Sequence, residues 1–324
     1  MDVSFFMPEK YLPEPARREA WKSGGPVQLE QGGKAASVQC WIYQTWTRLS
    51  KAGFPAKLVH EMPDTGLVVA LAGNLSPHFQ PVMTRFLLGV VADGLPHPAA
   101  DVQILQNAGH AKRLAGSVYM PHWTQPDLLP RDPSRGDRFE EIRFFGDEPN
   151  LCNDLQSPDF RADLQRELGL QLVTTPASAW HDYRTTDCSF AIRSFDGKRH
   201  DHKPASKLAN AWLANVPFVG GSDSAYSSEG RDGINYLACR SRENFVEHLK
   251  RLKSDPAFRR DLVKAGSIEA ARHTPEAHTN HWISLLSDEA PTRWNSWQKK
   301  SAGVRRMATL WRKVRLMIDR RLMN

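Results

Sequence analysis

Short apolar runs alternate with polar breaks through the first third of the chain: Ala56 to Glu61, Gly66 to Gly73, Phe86 to Asp93, Val102 to Gln106 and Gly116 to Trp123. Runs of this kind, bounded by Gly, Pro and Asn, are what a parallel sheet buried on both faces produces. Asp2 to Met7 reads as the first strand of the set. Ser37 is placed to cap a helix in which Val38, Trp41, Ile42, Thr45 and Leu49 share a face. Ahead of it lie Ser23-Gly24-Gly25 and Gln31-Gly32-Gly33-Lys34, without a Gly-x-Gly-x-x-Gly fingerprint. These glycines serve either plain flexibility or close approach to a sugar or phosphate. The expectation is a compact α/β domain over residues 1–123. Its ligand-facing loops follow the carboxyl ends of the strands, where Asn74, Asp93 and His97 fall.

Pro and charge are dense from Pro121 to Asp137, which predicts a linker over 124–138 containing Arg131, Arg135 and Arg138. The strand pattern then restarts at Ile142 to Gly146, followed by a helix from Phe160 to Leu168 and strands at Leu170 to Thr174 and Ser189 to Arg193. Helices over Arg242 to Leu252 and Ala257 to Ala271 are separated by Asp255-Pro256. This βαβα order predicts a second doubly wound sheet within 139–290. Trp282, Leu285 and Leu286 mark one more apolar helix, placed to cross back onto the first domain.

The stretch from Lys203 to Gly221 organises the second half. Pro204 suits a first helical position, where its missing N–H costs nothing. Leu208, Ala211 and Trp212 recur at helical spacing, with Lys207 and Asn210 on the opposite stripe. Phe218-Val219-Gly220-Gly221 reads as a short buried strand entering a glycine turn. A helix start flanked by Lys203 and Lys207 is either an anion site or an ordinary solvated face.

Composition narrows the class. The chain has 324 residues, 40% hydrophobic and 24% charged, enough for two soluble domains. Its amino terminus lacks the basic segment and cleavage site of a signal peptide. Four scattered cysteines form no Cys-x-x-Cys pair, so a reducing cytoplasm is expected and a metal site is not. The net charge of +7 is concentrated at one end: from Pro291 onward ten Lys and Arg face the single Asp319, giving +9 there and −2 for the rest. In the same stretch Val304, Met307, Trp311, Val314, Ile318 and Leu322 recur at three or four. A basic amphipathic helix over 291–324 suits an anionic membrane surface, with no nucleic acid expected. The alternative is a helix docked on the body by that same stripe.

A lysine-proline helix running into Asn210-Ala211-Trp212, then Val216-Pro217, a strand, Gly220-Gly221 and Ser224-Ala225-Tyr226 resembles the donor half of a GT-B glycosyltransferase. Commoner members carry a glutamate pair in this helix; here those positions hold His202 and Asn210. The resemblance implies two Rossmann-like domains facing a cleft, and a nucleotide-sugar co-substrate with no other cofactor. The implied acceptor is a glycan or lipid-linked molecule. In such a chain Arg193 and Lys207 are expected on the diphosphate, with Lys203 at the helix mouth. Gly146 would pack on the donor, Asn210 on ribose hydroxyls, and Ser224 would approach phosphate through main-chain N–H groups. The base for the acceptor hydroxyl falls to Asp93, His97 or His122. Since no Asp-x-Asp motif stands in the chain, no metal is implied. The two functions this leaves are a cytoplasmic, membrane-associated glycosyltransferase and a non-catalytic nucleotide-binding or glycan-binding module held at a membrane.

Overall fold

The computed structural model describes residues 2–22 and 33–323, so the glycines at Ser23-Gly24-Gly25 and Gln31-Gly32 lie outside the described residues. The chain divides into two compact units, residues 1–123 with 275–324, and residues 124–274. The proline-rich stretch 124–138 thus belongs to the second unit, and the apolar helix around Trp282 to the first.

The first unit holds six parallel strands: β1 (Val3–Phe6), β2 (Ala56–Val59), β3 (Gly66–Leu71), β4 (Arg85–Val90), β5 (Val102–Leu105) and β6 (Ser117–Tyr119). They lie in the order β2-β1-β3-β4-β5-β6. Alternation shows why the runs are continuously apolar. Leu67, Val69 and Leu71 enter one core, while Val68 and Ala70 enter another across the sheet. Trp282, Leu285, Leu286 and Ala290 complete the larger core, with Trp282 packed against Phe5 at a ring separation of 6.1 Å. The helix near Ser37 begins earlier than the capping residue suggested, at Gly33. Ser37 lies inside it and its Oγ donates back to the Gly33 carbonyl at 3.5 Å, one turn before.

The second unit holds five parallel strands: β7 (Glu141–Phe145), β8 (Gln171–Thr175), β9 (Cys188–Ala191), β10 (Phe218–Gly220) and β11 (Leu237–Ala238). Their order is β11-β10-β9-β7-β8. Counted from its own first strand, each sheet therefore winds outward in the same sequence, with the reversal between its first and third strands. In the second unit that reversal lies between β7 and β9, paired through Ile142 with Cys188 and Arg143 with Ser189. The helix of the organising stretch spans Ser206–Leu213. Pro204 is not its first residue: a turn closed by the Lys203 N–H to the His200 carbonyl, 2.8 Å, occupies the chain there.

The segment read as a linker is held into this unit. Arg131 and Arg135, expected in a linker, both bind the buried carboxylate of Asp187, at 2.8 and 2.6 Å. Arg193, which also lies close to Asp187 in sequence, pairs instead with Asp223. The reason is position: Asp187 immediately precedes β9 and faces the amino-terminal end of the sheet, where it also accepts from the N–H groups of Glu140 and Glu141.

The basic carboxyl-terminal stretch is helical over Ala290–Gln298 and Ala302–Met323. It is not merely appended to the first unit. Trp294 stacks on Phe86 at 5.9 Å, and Leu316 is buried beside Val91, Leu105 and Leu114. Arg312 pairs with Asp101 at 3.1 Å. Docking uses the face bearing Ala308, Arg312 and Leu316 rather than the apolar stripe. The stripe remains exposed: Val304, Met307, Leu310, Trp311, Val314, Met317 and Ile318, with Trp311 at 66%. Among the described residues, no helix is long and apolar enough to cross a membrane.

Candidate functional site

In doubly wound sheets ligands bind beyond the carboxyl ends of the strands, at the point where strand order reverses. In the second unit Gly146 follows β7 and Arg193 lies just past β9, so these two residues bracket that point. Gly146 has no room for a side chain. A Cβ there would stand 2.8 Å from the Phe144 ring and 3.1 Å from the Lys207 Cε. Lys207, in the first turn of the Ser206–Leu213 helix, therefore runs directly past the Gly146 backbone, its ammonium 5.8 Å from the centre of the Phe144 ring. Loss of the side chain at Gly146 is what lets the lysine reach the strand ends.

Arg193 is held rather than solvated. Its Nε donates to Asp223 Oδ1 at 3.1 Å and its Nη1 to Asn150 Oδ1 at 3.2 Å. Asp223 is buried, and burial raises its pKa above the ordinary value, while the positive charges of Arg193, His200 and Lys207 oppose that rise. The arrangement fixes a guanidinium in the fork geometry that suits phosphate oxygens, with a second cation nearby. Asp223 and Asn150 were missed from sequence. Asp223 stands two residues after the glycine pair and Asn150 in the loop after β7, but neither position announces which arginine it meets.

Three expected contacts take other roles. Asn210 is buried and its Oδ1 accepts the N–H of Gln125 at 2.9 Å, so this amide tethers the start of the unit rather than presenting itself to a ribose. The Ser224 N–H donates to the Arg199 carbonyl at 2.7 Å, and the Gly221 N–H to the Ala191 carbonyl at 2.9 Å. The N–H groups expected to meet phosphate are therefore already committed. Lys203 sits in the turn before the helix, not at its mouth.

In the first unit the three base candidates fare differently. His97 is buried, with Nε2 3.1 Å from the Ser76 carbonyl and Nδ1 accepting from the Ala99 N–H at 3.2 Å. Both ring nitrogens are spent on main chain, which assigns this histidine to loop structure. His122 lies with Nδ1 2.6 Å from the Trp123 carbonyl, which makes Nδ1 the protonated nitrogen, and with Nε2 3.7 Å from Cys40 Sγ. Burial pushes the Cys40 thiol up to about 12, so it stays protonated. Asp93 is exposed past β4 and accepts from Gln106 Nε2 at 2.6 Å, which orients its carboxylate. Gln106, following β5, was another residue not singled out from sequence.

No protein-family profile matches the chain, and no curated protein matches it. Solved structures do. Sucrose-phosphate synthase from Thermosynechococcus elongatus superposes with a TM-score of 0.55 at 11% identity, over 90% of this chain and all of that one. Anabaena HepE, solved in complex with UDP and glucose, superposes with a TM-score of 0.51 at 10% identity, over 89% of this chain and all of that one. The chain has the GT-B type of fold.

Proposed function

We propose that the chain is a glycosyltransferase that takes a nucleotide-sugar donor and passes its sugar to a glycan or lipid-linked acceptor. The observation that carries this reading is the bracketing of the second sheet's reversal by Gly146 and Arg193, with Lys207 alongside. A diphosphate leaving group needs fixed positive charge where its own charge develops. Arg193 and Lys207 supply that charge at the place where doubly wound sheets take ligands. The UDP bound by HepE, on which this chain superposes, supports the same class of donor. On the acceptor side Asp93 is the favoured base, because it is the exposed group of the three and its carboxylate is oriented by Gln106.

The alternative, a binding module without turnover, draws on one observation. Asn210 stands where a glutamate is usual and is turned to the Gln125 N–H. A panel of nucleotide sugars assayed for donor hydrolysis and transfer separates the two. Turnover with at least one donor, abolished by changes at Lys207, is the expected result. Saturable nucleotide binding with no turnover on any donor or acceptor would establish the module instead.

We place the protein at an anionic membrane surface. Support comes from the exposed stripe around Trp311 on a helix carrying Arg305, Arg306, Lys313 and Arg315. Contiguous exposed apolar area of this kind marks an interaction surface, and each basic residue near anionic lipid contributes about 1 kcal/mol. The full chain should sediment with phosphatidylglycerol vesicles, and Trp311→Ser with Met307→Ser should release it. Truncation at 291 is a poor test, because it would strip Trp294 and Trp297 from the first unit's core. Unchanged sedimentation of the double variant would end the membrane reading.

A further inference from the structure

A cavity in the first unit shares no residue with the candidate functional site. It has a volume of about 510 Å³ and lies within the first unit, beneath the Ala302–Met323 helix. Its floor is apolar, formed by Phe86, Val102, Leu114 and Leu316. Trp297 lines one side, and both Lys300 and Arg312 stand over its ring, at 5.5 and 5.4 Å.

Its charge is one-sided. Arg293, Lys300, Arg312 and Arg315 line it against the single carboxylate of Asp101. Arg312 is committed to Asp101, and Arg293 to Glu289 at 2.6 Å. Lys300 and Arg315 are exposed and have no acidic partner among the described residues. A buried apolar floor under a cationic rim offers a hydrated anion no use for the floor and a neutral hydrocarbon no use for the rim. It matches an amphiphile with a phosphate at one end.

Placement on the helix says how such a molecule arrives. With each residue turned by the helical 3.6-residue repeat, Arg315 falls between Trp311, on the exposed stripe, and Ala308, on the cavity wall. The stripe and the cavity thus share an edge, and that edge carries the Arg315 guanidinium, which has no acidic partner among the described residues.

We infer that this cavity binds the phosphate headgroup and first acyl carbons of an anionic lipid, with Lys300 and Arg315 on the phosphate and the Phe86–Leu316 floor on the chain. The inference rests on the membrane reading for its source of ligand, but its test does not. Dihexanoyl phosphatidic acid below its micelle concentration probes the cavity with no surface present. Titrated into the full-length protein and followed by tryptophan fluorescence, it should bind saturably with one molecule per chain.

Lys300→Gln with Arg315→Gln should weaken that binding by roughly tenfold or more, the size of a lost charge-assisted contact. Both residues are exposed, so the melting temperature should hold. Ala308→Trp, which fills the cavity and alters no charge, should abolish it. Nucleoside-diphosphate binding should be untouched in each variant. Absence of saturable binding, or equal binding by Ala308→Trp, overturns the inference. So does inorganic phosphate binding as tightly as the short-chain lipid, which would make the cavity an anion site without lipid character. Should vesicle binding fail while the soluble lipid still binds, the membrane reading falls and the cavity stands.

Discussion

Asp187→Ala should destabilise the second unit by about 3–5 kcal/mol, the cost of removing one partner from a buried charged network. The side chain has no exposed surface, yet it receives Arg131 through Nε and Nη2, Arg135 through Nε and Nη2, and two main-chain N–H groups. Burial by itself would raise its pKa. The bonds from Arg135, Glu140, Glu141 and Arg131 outweigh that and hold it below the ordinary carboxylate value. A depressed folded pKa means the contribution is present above pH ~4 and is lost as pH falls through the folded value. Removing the carboxylate strands two arginines that are almost buried. Urea titration should show a lowered midpoint with little change in slope, and the wild-type protein should lose the same increment only in strong acid. A midpoint within error of wild type would mean that the network contributes nothing net. Asp187 also ties the start of β7 to the start of β9, so the variant should bind nucleotide less well even where it remains folded.

Lys207→Ala should weaken nucleoside-diphosphate binding by about tenfold to a hundredfold while leaving nucleoside binding nearly unchanged, since a charge-assisted contact contributes roughly 1.5–3 kcal/mol. Isothermal titration with the two ligands reads the difference directly. Equal losses for both would remove the phosphate role. Lys207→Arg is no safe control, because a planar guanidinium does not follow the ammonium's path past Gly146. Arg193→Ala should cost at least as much and should add a pH dependence. It leaves Asp223 buried without its ion pair, and the raised pKa of that carboxyl should climb further. A raised carboxylate pKa makes the folded state the better proton binder, so the variant should lose stability as pH rises through that value. Flat stability across that range would show that Asp223 is neutralised by other groups.

The sequence by itself determined most of the strands and several of the helices, because those follow from local periodicity, whereas the order of strands in each sheet does not. Leu67 to Leu71 alternate between two cores whatever lies beside them, and Asp255-Pro256 interrupts a helix for reasons within three residues. It also located Gly146, Arg193 and Lys207, the ends of two strands and the start of one helix. What those side chains meet was decided only by the tertiary structure. Arg193 meets Asp223 rather than the nearby Asp187 because Asp223 follows β10, the strand beside β9, at the same end of the sheet, while Asp187 lies at the opposite end. Asn210 was legible as a polar residue on the right helix, but its amide direction depends on Gln125, 85 positions away. The carboxyl-terminal helix shows the division most plainly. Its apolar stripe is written in the spacing of Val304, Met307, Trp311 and Ile318, yet the helix docks through Leu316 and the Arg312–Asp101 pair, joined across 211 residues. Periodicity identifies a face that avoids water; it carries no record of which distant surface a single arginine will find.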